Sequence, residues 1–167
     1  MIYVTDRIRV LIADDSALMR KALREIIMTD PDLEVVGTAR DGQDAVEKVR
    51  DLKPDVITMD INMPNMDGLT SMQYILHENP GLSVLIISSL TTEGAFTTFE
   101  ALELGAFDYI AKPSGTVSSN IYIVGRDIIQ KIKLAYRSAN SKSILERKDW
   151  IPLKGCCSLK KTGNPWR

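Results

Sequence analysis

Short blocks of continuous apolar, often β-branched residues recur along the chain, and between them apolar residues fall three and four positions apart. The blocks are RIRVLIA (7–13), LEVVGTA (33–39), DVITM (55–59), LSVLIIS (82–88) and the shorter FDYIA (107–111). They predict five strands, and their nearly uninterrupted apolar character is that of a parallel sheet covered on both faces. The spaced positions predict helices: Met19, Ala22, Leu23, Ile26 and Ile27 share one face, as do Ala45, Val49 and Leu52, and then Leu69, Met72 and Leu76. Phe99 and Leu102 mark a fourth helix, which Gly105 closes at a C-terminal cap position. Ile121, Val124, Ile128, Ile132 and Ala135 form the longest stripe. Strand and helix therefore alternate, the pattern of an α/β fold with a doubly wound parallel sheet.

After Ala135 the periodicity fades into a polar stretch punctuated by Pro152, Gly155 and Pro165, which reads as a linker or partly disordered tail. The chain thus divides into a domain over residues 7–137 and a basic linker or tail over 138–167. Charge sharpens the division. The overall value of −1 conceals seven basic and two acidic residues from Ser138 onward, a net +5 that leaves −6 on the domain. With 167 residues, 44% of them hydrophobic, the chain has the makings of one domain with a real core.

No apolar run approaches the roughly 20 residues that span a bilayer. The start, MIYVTDRIRVLI, lacks the basic, apolar and small-residue regions of a signal peptide, so a cytoplasmic location without membrane insertion is expected. Cys156 and Cys157 are neighbours, their Cα atoms about 3.8 Å apart, too close for ordinary disulfide geometry. They read as reduced thiols.

Candidate chemistry gathers where a parallel sheet binds ligands, beyond the carboxyl ends of its strands. Asp14 and Asp15 follow the first strand, Asp60 the third, Ser88 and Ser89 end the fourth, and Lys112 follows the fifth. Each has an ordinary alternative: Asp14 and Asp15 as helix caps, Asp60 as the start of a turn with Pro64, Lys112 as a surface loop residue. Their coincidence at one edge favours a site. Like charges 4 Å apart cost about 4 kcal/mol at an effective dielectric near 20, so the carboxylates need Lys112 and a divalent cation. An all-oxygen set without Cys or His favours Mg²⁺ over zinc. Such a site suits phosphoryl acceptance: Asp60 attacks phosphorus, while Lys112, a serine hydroxyl and Mg²⁺ stabilise the oxygens, giving an aspartyl phosphate. Ser88 and Ser89 point to opposite faces, and Ser88 is the preferred hydroxyl. On residue type alone Tyr109 is a packed aromatic, and His77 is a solvated residue far from the acidic edge.

The stretches VLIADDSALMRKALREII, PDVITMDINMPNMDGL and ALELGAFDYIAKPSG together resemble the response-regulator receiver domain of two-component signalling, from about residue 8 to 136. SSLTTEG followed by the last of these resembles the receiver half of the chemotaxis protein-glutamate methylesterase. The resemblance implies a flavodoxin-like sheet of order 2-1-3-4-5 and a histidine kinase as phosphoryl donor. It implies Asp60 as phosphoacceptor, with Asp15 and the Asn62 carbonyl as Mg²⁺ ligands and Asp14 helping directly or through water. Ser88 and Lys112 would meet the phosphoryl group, and Tyr109 would be the switch aromatic. A cis Lys112–Pro113 bond, and a partner face of the fourth helix, fifth strand and fifth helix, are implied too. The partner would be a separate output or chemotaxis protein. No Gly-x-Ser-x-Gly elbow is present, so esterase activity is not expected from these residues. The alternatives are a truncated methylesterase and a Mg²⁺-dependent phosphatase using Asp60 covalently. Some thirty tail residues with two prolines do not build a helix-turn-helix, so specific nucleic acid binding is not expected.

Overall fold

The structure is a computed structural model and describes residues 6–89, 94–113 and 120–148, without the side chains of 94–97 and 142–148. Its strands are β1 (Ile8–Ala13), β2 (Leu33–Ala39), β3 (Val56–Met59), β4 (Ser83–Ser89) and β5 (Asp108–Lys112), all parallel in the order β2-β1-β3-β4-β5. The helices are α1 (Ala17–Ile27), α2 (Gly42–Leu52), α3 (Gly68–Glu78), α4 (Gly94–Glu103) and α5 (Gly125–Lys148), the last led in by a 3₁₀ turn at Asn120–Val124.

Because successive strand residues face opposite ways, the sheet carries two cores. Val10, Ile12, Val56, Leu85, Ile87 and Ile110 pack beneath α1 and α5, whereas Leu11, Ala13, Ile57, Met59, Val84 and Ile86 form the other face with residues of α2 and α3. The expected helix stripes supply the covers: Met19, Ala22, Leu23, Ile26 and Ile27 are buried, as are Ala45, Val49, Met72, Ile121, Ile128, Ile132 and Ala135. Leu52, Leu69, Leu76 and Val124 are half-buried against these cores.

Local chemistry sets the helix starts. Ser16, Asp41 and Asp67 are N-caps whose side chains accept the N–H of Met19, Asp44 and Thr70, satisfying donors the helix leaves open. At the end of α4, Gly105 adopts φ 113°, and Gly105 and Ala106 donate back to the carbonyls of Leu102 and Ala101. This is a Schellman closure of the kind expected there.

Packing adds two things to the sequence reading. Phe99 and Leu102 lie on a helix, as expected, and on its outer side: they are 64% and 41% exposed, and Ala101 is the residue turned inward. Two large apolar residues three positions apart satisfy helical spacing whichever side they cover, so periodicity finds the helix without orienting it. The helix α5 also continues past the fading of its stripe to Lys148. Once nucleated, a helix propagates through its own backbone bonds, and Lys, Leu, Glu and Arg in that stretch are good helix formers. The tail from Asp149 onward, with Cys156 and Cys157, lies outside the described residues, as does 90–93 of the SSLTTEG stretch. Among the described residues, no helix is long and apolar enough to cross a membrane.

The backbone is closely packed at the turn from β3 into α3. A Cβ on Gly68 would lie 2.1 Å from the Asp60 carbonyl oxygen, closer than any real contact. Gly68→Ala is therefore expected to cost about 1–3 kcal/mol through overpacking. A urea unfolding series checks it: the midpoint falls while the slope is retained.

Candidate functional site

Four strand ends converge. Asp14 follows β1, held by its N–H to the Ala39 carbonyl (3.1 Å) and by its Oδ1, which accepts the Ser16 N–H (2.9 Å). Asp60 follows β3, with its N–H on the Ala13 carbonyl at 2.9 Å. Lys112 ends β5 and donates from Nζ to Asp14 Oδ2 (2.7 Å) and Asp60 Oδ2 (2.6 Å). The other Asp60 oxygen accepts the Ser88 hydroxyl at 2.7 Å and the Asn62 N–H at 3.4 Å. Asp14, Asp60 and Ser88 are buried, at 1%, 5% and 2% exposure. The site is thus a set of charged and polar groups nearly closed to water, each holding another.

Burial pushes the Asp14 carboxyl above its ordinary value, with Lys112 opposing and Asp60 adding to the rise. For Lys112 burial acts to lower the value, but the charges of Asp14 and Asp60 outweigh it and the amine ends above its usual range. It stays protonated as the bridge between the two carboxyl groups.

Carboxylate oxygens of Asp14, Asp15 and Asp60 lie within 4.8 Å of one another, with Asp15 exposed at the rim. Three hard oxygen donors, the outermost on the exposed Asp15, fit a small divalent cation such as Mg²⁺. Neither Asp14 nor Asp15 caps α1, which is the work of Ser16. Arg20, one turn on, donates to the carbonyls of Asp14 (2.7 Å) and Asp15 (3.0 Å) and braces the acidic turn.

Ser89 is exposed while Ser88 is directed at Asp60, as alternation requires. Tyr109 is half-buried, and its hydroxyl donates to the Ser88 carbonyl at 3.1 Å. Burial raises its pKa against an opposing hydrogen bond with Thr98. It is more than a packed ring, since it touches the strand end that carries Ser88. Asn62 is exposed and meets the site through its backbone. His77 is exposed on α3, remote from these groups.

The Lys112–Pro113 bond is trans, contrary to the cis geometry the resemblance implied. Trans is intrinsically favoured by about 0.5–1 kcal/mol before proline, and Lys112 reaches both carboxylates from it. Residue-level reasoning also missed Ser16, Arg20 and Lys131. A serine directly before an apolar helical run is a start signal that would have found the first. Lys131 of α5 donates to the Tyr109 carbonyl (3.0 Å) and pairs with Asp108 (2.8 Å), contacts that no local pattern announces.

Comparison with known proteins places these features. The model of the response regulator receiver domain matches residues 10–118. The protein-glutamate methylesterase/protein-glutamine glutaminase 2 of Carboxydothermus hydrogenoformans is 59% identical over 143 residues, covering 86% of this chain and 40% of the relative. Protein 3 of that designation from Syntrophomonas wolfei is 58% identical over 135 residues, covering 80% and 38%. The chain therefore spans about 40% of the length of these curated relatives. Among solved structures, the response regulator domain of Thermotoga maritima CheB superposes with a TM-score of 0.74 at 50% identity, over 78% of this chain and 97% of that one. The CheX–CheY–BeF3–Mg²⁺ complex from Borrelia burgdorferi gives 0.62 at 31% identity, over 74% and 85%.

The raised Asp14 value fixes the sign of a pH effect. A carboxyl that binds its proton more tightly when folded contributes stability that is complete below the ordinary value of 3.8 and is lost as pH rises through the folded pKa. In metal-free buffer at pH 7, Asp14→Asn is expected to unfold at higher urea than the wild type. The gap narrows as pH falls towards 3.8. Lys112→Met, which strands two buried carboxylates, shifts the pH 7 midpoint downward.

Proposed function

The chain belongs to the response regulator receiver domain family, and from that premise we propose that it is a phosphoacceptor switch which takes a phosphoryl group from a histidine kinase on Asp60. The observation that carries this reading is the Lys112 ammonium on Asp14 and Asp60 together with the Ser88 hydroxyl on the remaining Asp60 oxygen. An Asp60 oxygen attacks phosphorus, the bond to the donor's imidazole nitrogen breaks, and the electron pair leaves with the nitrogen. Lys112 then pairs with a phosphoryl oxygen, and Ser88 donates to another.

Asp14, Asp15 and Asp60 would hold Mg²⁺, with the Asn62 carbonyl as a further ligand. When bound, the ion neutralises charge on the transferring group. The all-oxygen carboxylate cluster supports this assignment, as does a 31% identical solved neighbour that itself contains Mg²⁺ and BeF3.

The output follows from charge. Phosphorylation adds roughly −1.5 to −2 charge and three acceptor oxygens. Ser88 and Lys112 are the groups within reach, at the ends of β4 and β5. Moving the Ser88 segment alters the carbonyl that Tyr109 holds, and Tyr109 turns with it. The responsive surface is α4, β5 and α5, where Phe99 and Leu102 already present apolar area to solvent. The named activities of the relatives, methylesterase and glutaminase, are outputs of proteins much longer than this chain. The role assigned here is the phosphorylation-dependent control of such a chemotaxis output, in the cytoplasm.

The test is incubation with acetyl phosphate and Mg²⁺, read by intact mass. Wild type gains one phosphoryl group, Asp60→Asn gains none, and chelation of the metal suppresses the gain. An unmodified wild type, or equal gain by Asp60→Asn, overturns the reading.

A further inference from the structure

The loop between β3 and α3, which carries Asp60 and Asn62, shapes itself through short backbone bonds: Met63 to Ile61 (3.2 Å), Met66 to Pro64 (2.7 Å) and Gly68 to Ile61 (2.8 Å). Its grip on the body comes from the start of α2. Gly42 N–H donates to the Met66 carbonyl (3.0 Å), the Asn65 amide donates to Asp41 Oδ2 (3.0 Å), and the Ser71 hydroxyl donates to the Gly42 carbonyl (3.0 Å). Asp41 is a charged group at 6% exposure, and its other oxygen accepts the Asp44 N–H at 2.8 Å. The N–H of Asp44, and then the Asn65 amide, hold its carboxyl below the ordinary range, so it is an anion at neutral pH.

Asn65 sits at φ 66°, in the left-handed region. That conformation costs most side chains roughly 1–2 kcal/mol, and asparagine is among the few that tolerate it. A left-handed backbone position, a buried carboxylate, one backbone bond and two side-chain bonds thus meet at one seam.

We propose that Asp41 and Asn65 are positioning residues for Mg²⁺: a clasp that fastens the β3–α3 loop to α2 and so holds Asp60 and Asn62 in register with Asp14 and Asp15. The inference rests on the function proposed above. Metal sites depend on such outer contacts because they fix where the ligand atoms stand, and losing one typically costs 10–100-fold in affinity or activity.

Two substitutions cut the clasp while sparing the backbone. Asn65→Gly keeps the left-handed conformation and removes the amide. Asp41→Ser keeps an oxygen for the N-cap, but it is too short to reach Asn65. In calorimetric titration of the full chain with MgCl₂, each variant is expected to bind about 10-fold more weakly than wild type. The double variant is no worse than the weaker single one, since both remove the same bond. In the metal-free protein, hydrogen exchange quickens at Gly42 and Gly68 and is unchanged in β1.

Wild-type Mg²⁺ affinity in both variants overturns the clasp. So does exchange that quickens equally in β1 and β3, which would make Asp41 and Asn65 general stabilisers. A wild type that binds Mg²⁺ but takes no phosphoryl group from acetyl phosphate overturns the function and leaves the clasp standing; one that is phosphorylated with Mg²⁺, beside variants that bind the ion as it does, overturns the clasp alone.

Discussion

Two carboxylates, Asp14 and Asp60, are buried side by side, and the cation that makes this possible, Lys112, arrives from a strand almost a hundred residues away from the first of them. Their repulsion, a few kcal/mol for a close pair at a moderate effective dielectric, cannot be relieved locally. It makes the geometry of the sheet edge depend on β5 staying in register with β4, where Ser89 pairs with Lys112 and Ser88 with Ala111. A charge conflict at the site is thus built into the packing of the sheet. Such an arrangement contributes little net stability, because each charge was stripped of water to enter it. What it provides instead is readiness. On the function proposed above, a phosphoryl group on Asp60 would compete for the lysine and the serine that now satisfy the carboxylate.

That readiness reaches the surface through short physical steps. Ser88 touches Asp60, Tyr109 holds the Ser88 carbonyl, and Lys131 of α5 holds the Tyr109 carbonyl and Asp108. The path from Asp60 to the outer helix therefore consists of hydrogen bonds between groups that are buried or half-buried. Around it the scaffold is stiff: capped helices, a closed α4 terminus and two apolar cores hold the strands in place. The same logic explains the seam between α2 and the β3–α3 loop, where rigidity is concentrated on the side opposite β4 and β5.

Much of this was legible along the chain. Uninterrupted apolar strands between amphipathic helices determine a parallel sheet covered on both sides, because only that arrangement buries both faces. Once the sheet is parallel, polar residues at the carboxyl ends of β1, β3, β4 and β5 must share an edge, and so Asp14, Asp60, Ser88 and Lys112 could be grouped before any distance was known. Periodicity of two also separated Ser88 from Ser89. These inferences work because they need only local spacing and one topological rule.

The tertiary structure decided what local spacing cannot express. Phe99 and Leu102 obey the helical period whether they face the core or water, and only packing against the sheet turned Ala101 inward and left them outside. The bond before Pro113 is trans, and Lys112 reaches both carboxylates from it. The bracing by Arg20, the anchor of Lys131 and the meeting of Asp41 with Asn65 join positions whose neighbours in sequence say nothing of each other. The amino-acid sequence by itself determined the kind of sheet and which residues end its strands, since those follow from periodic burial; the tertiary structure alone decided which charges touch and which loops are fastened, since such contacts join residues far apart in the chain and depend on angles and distances that exist only once the layers have packed.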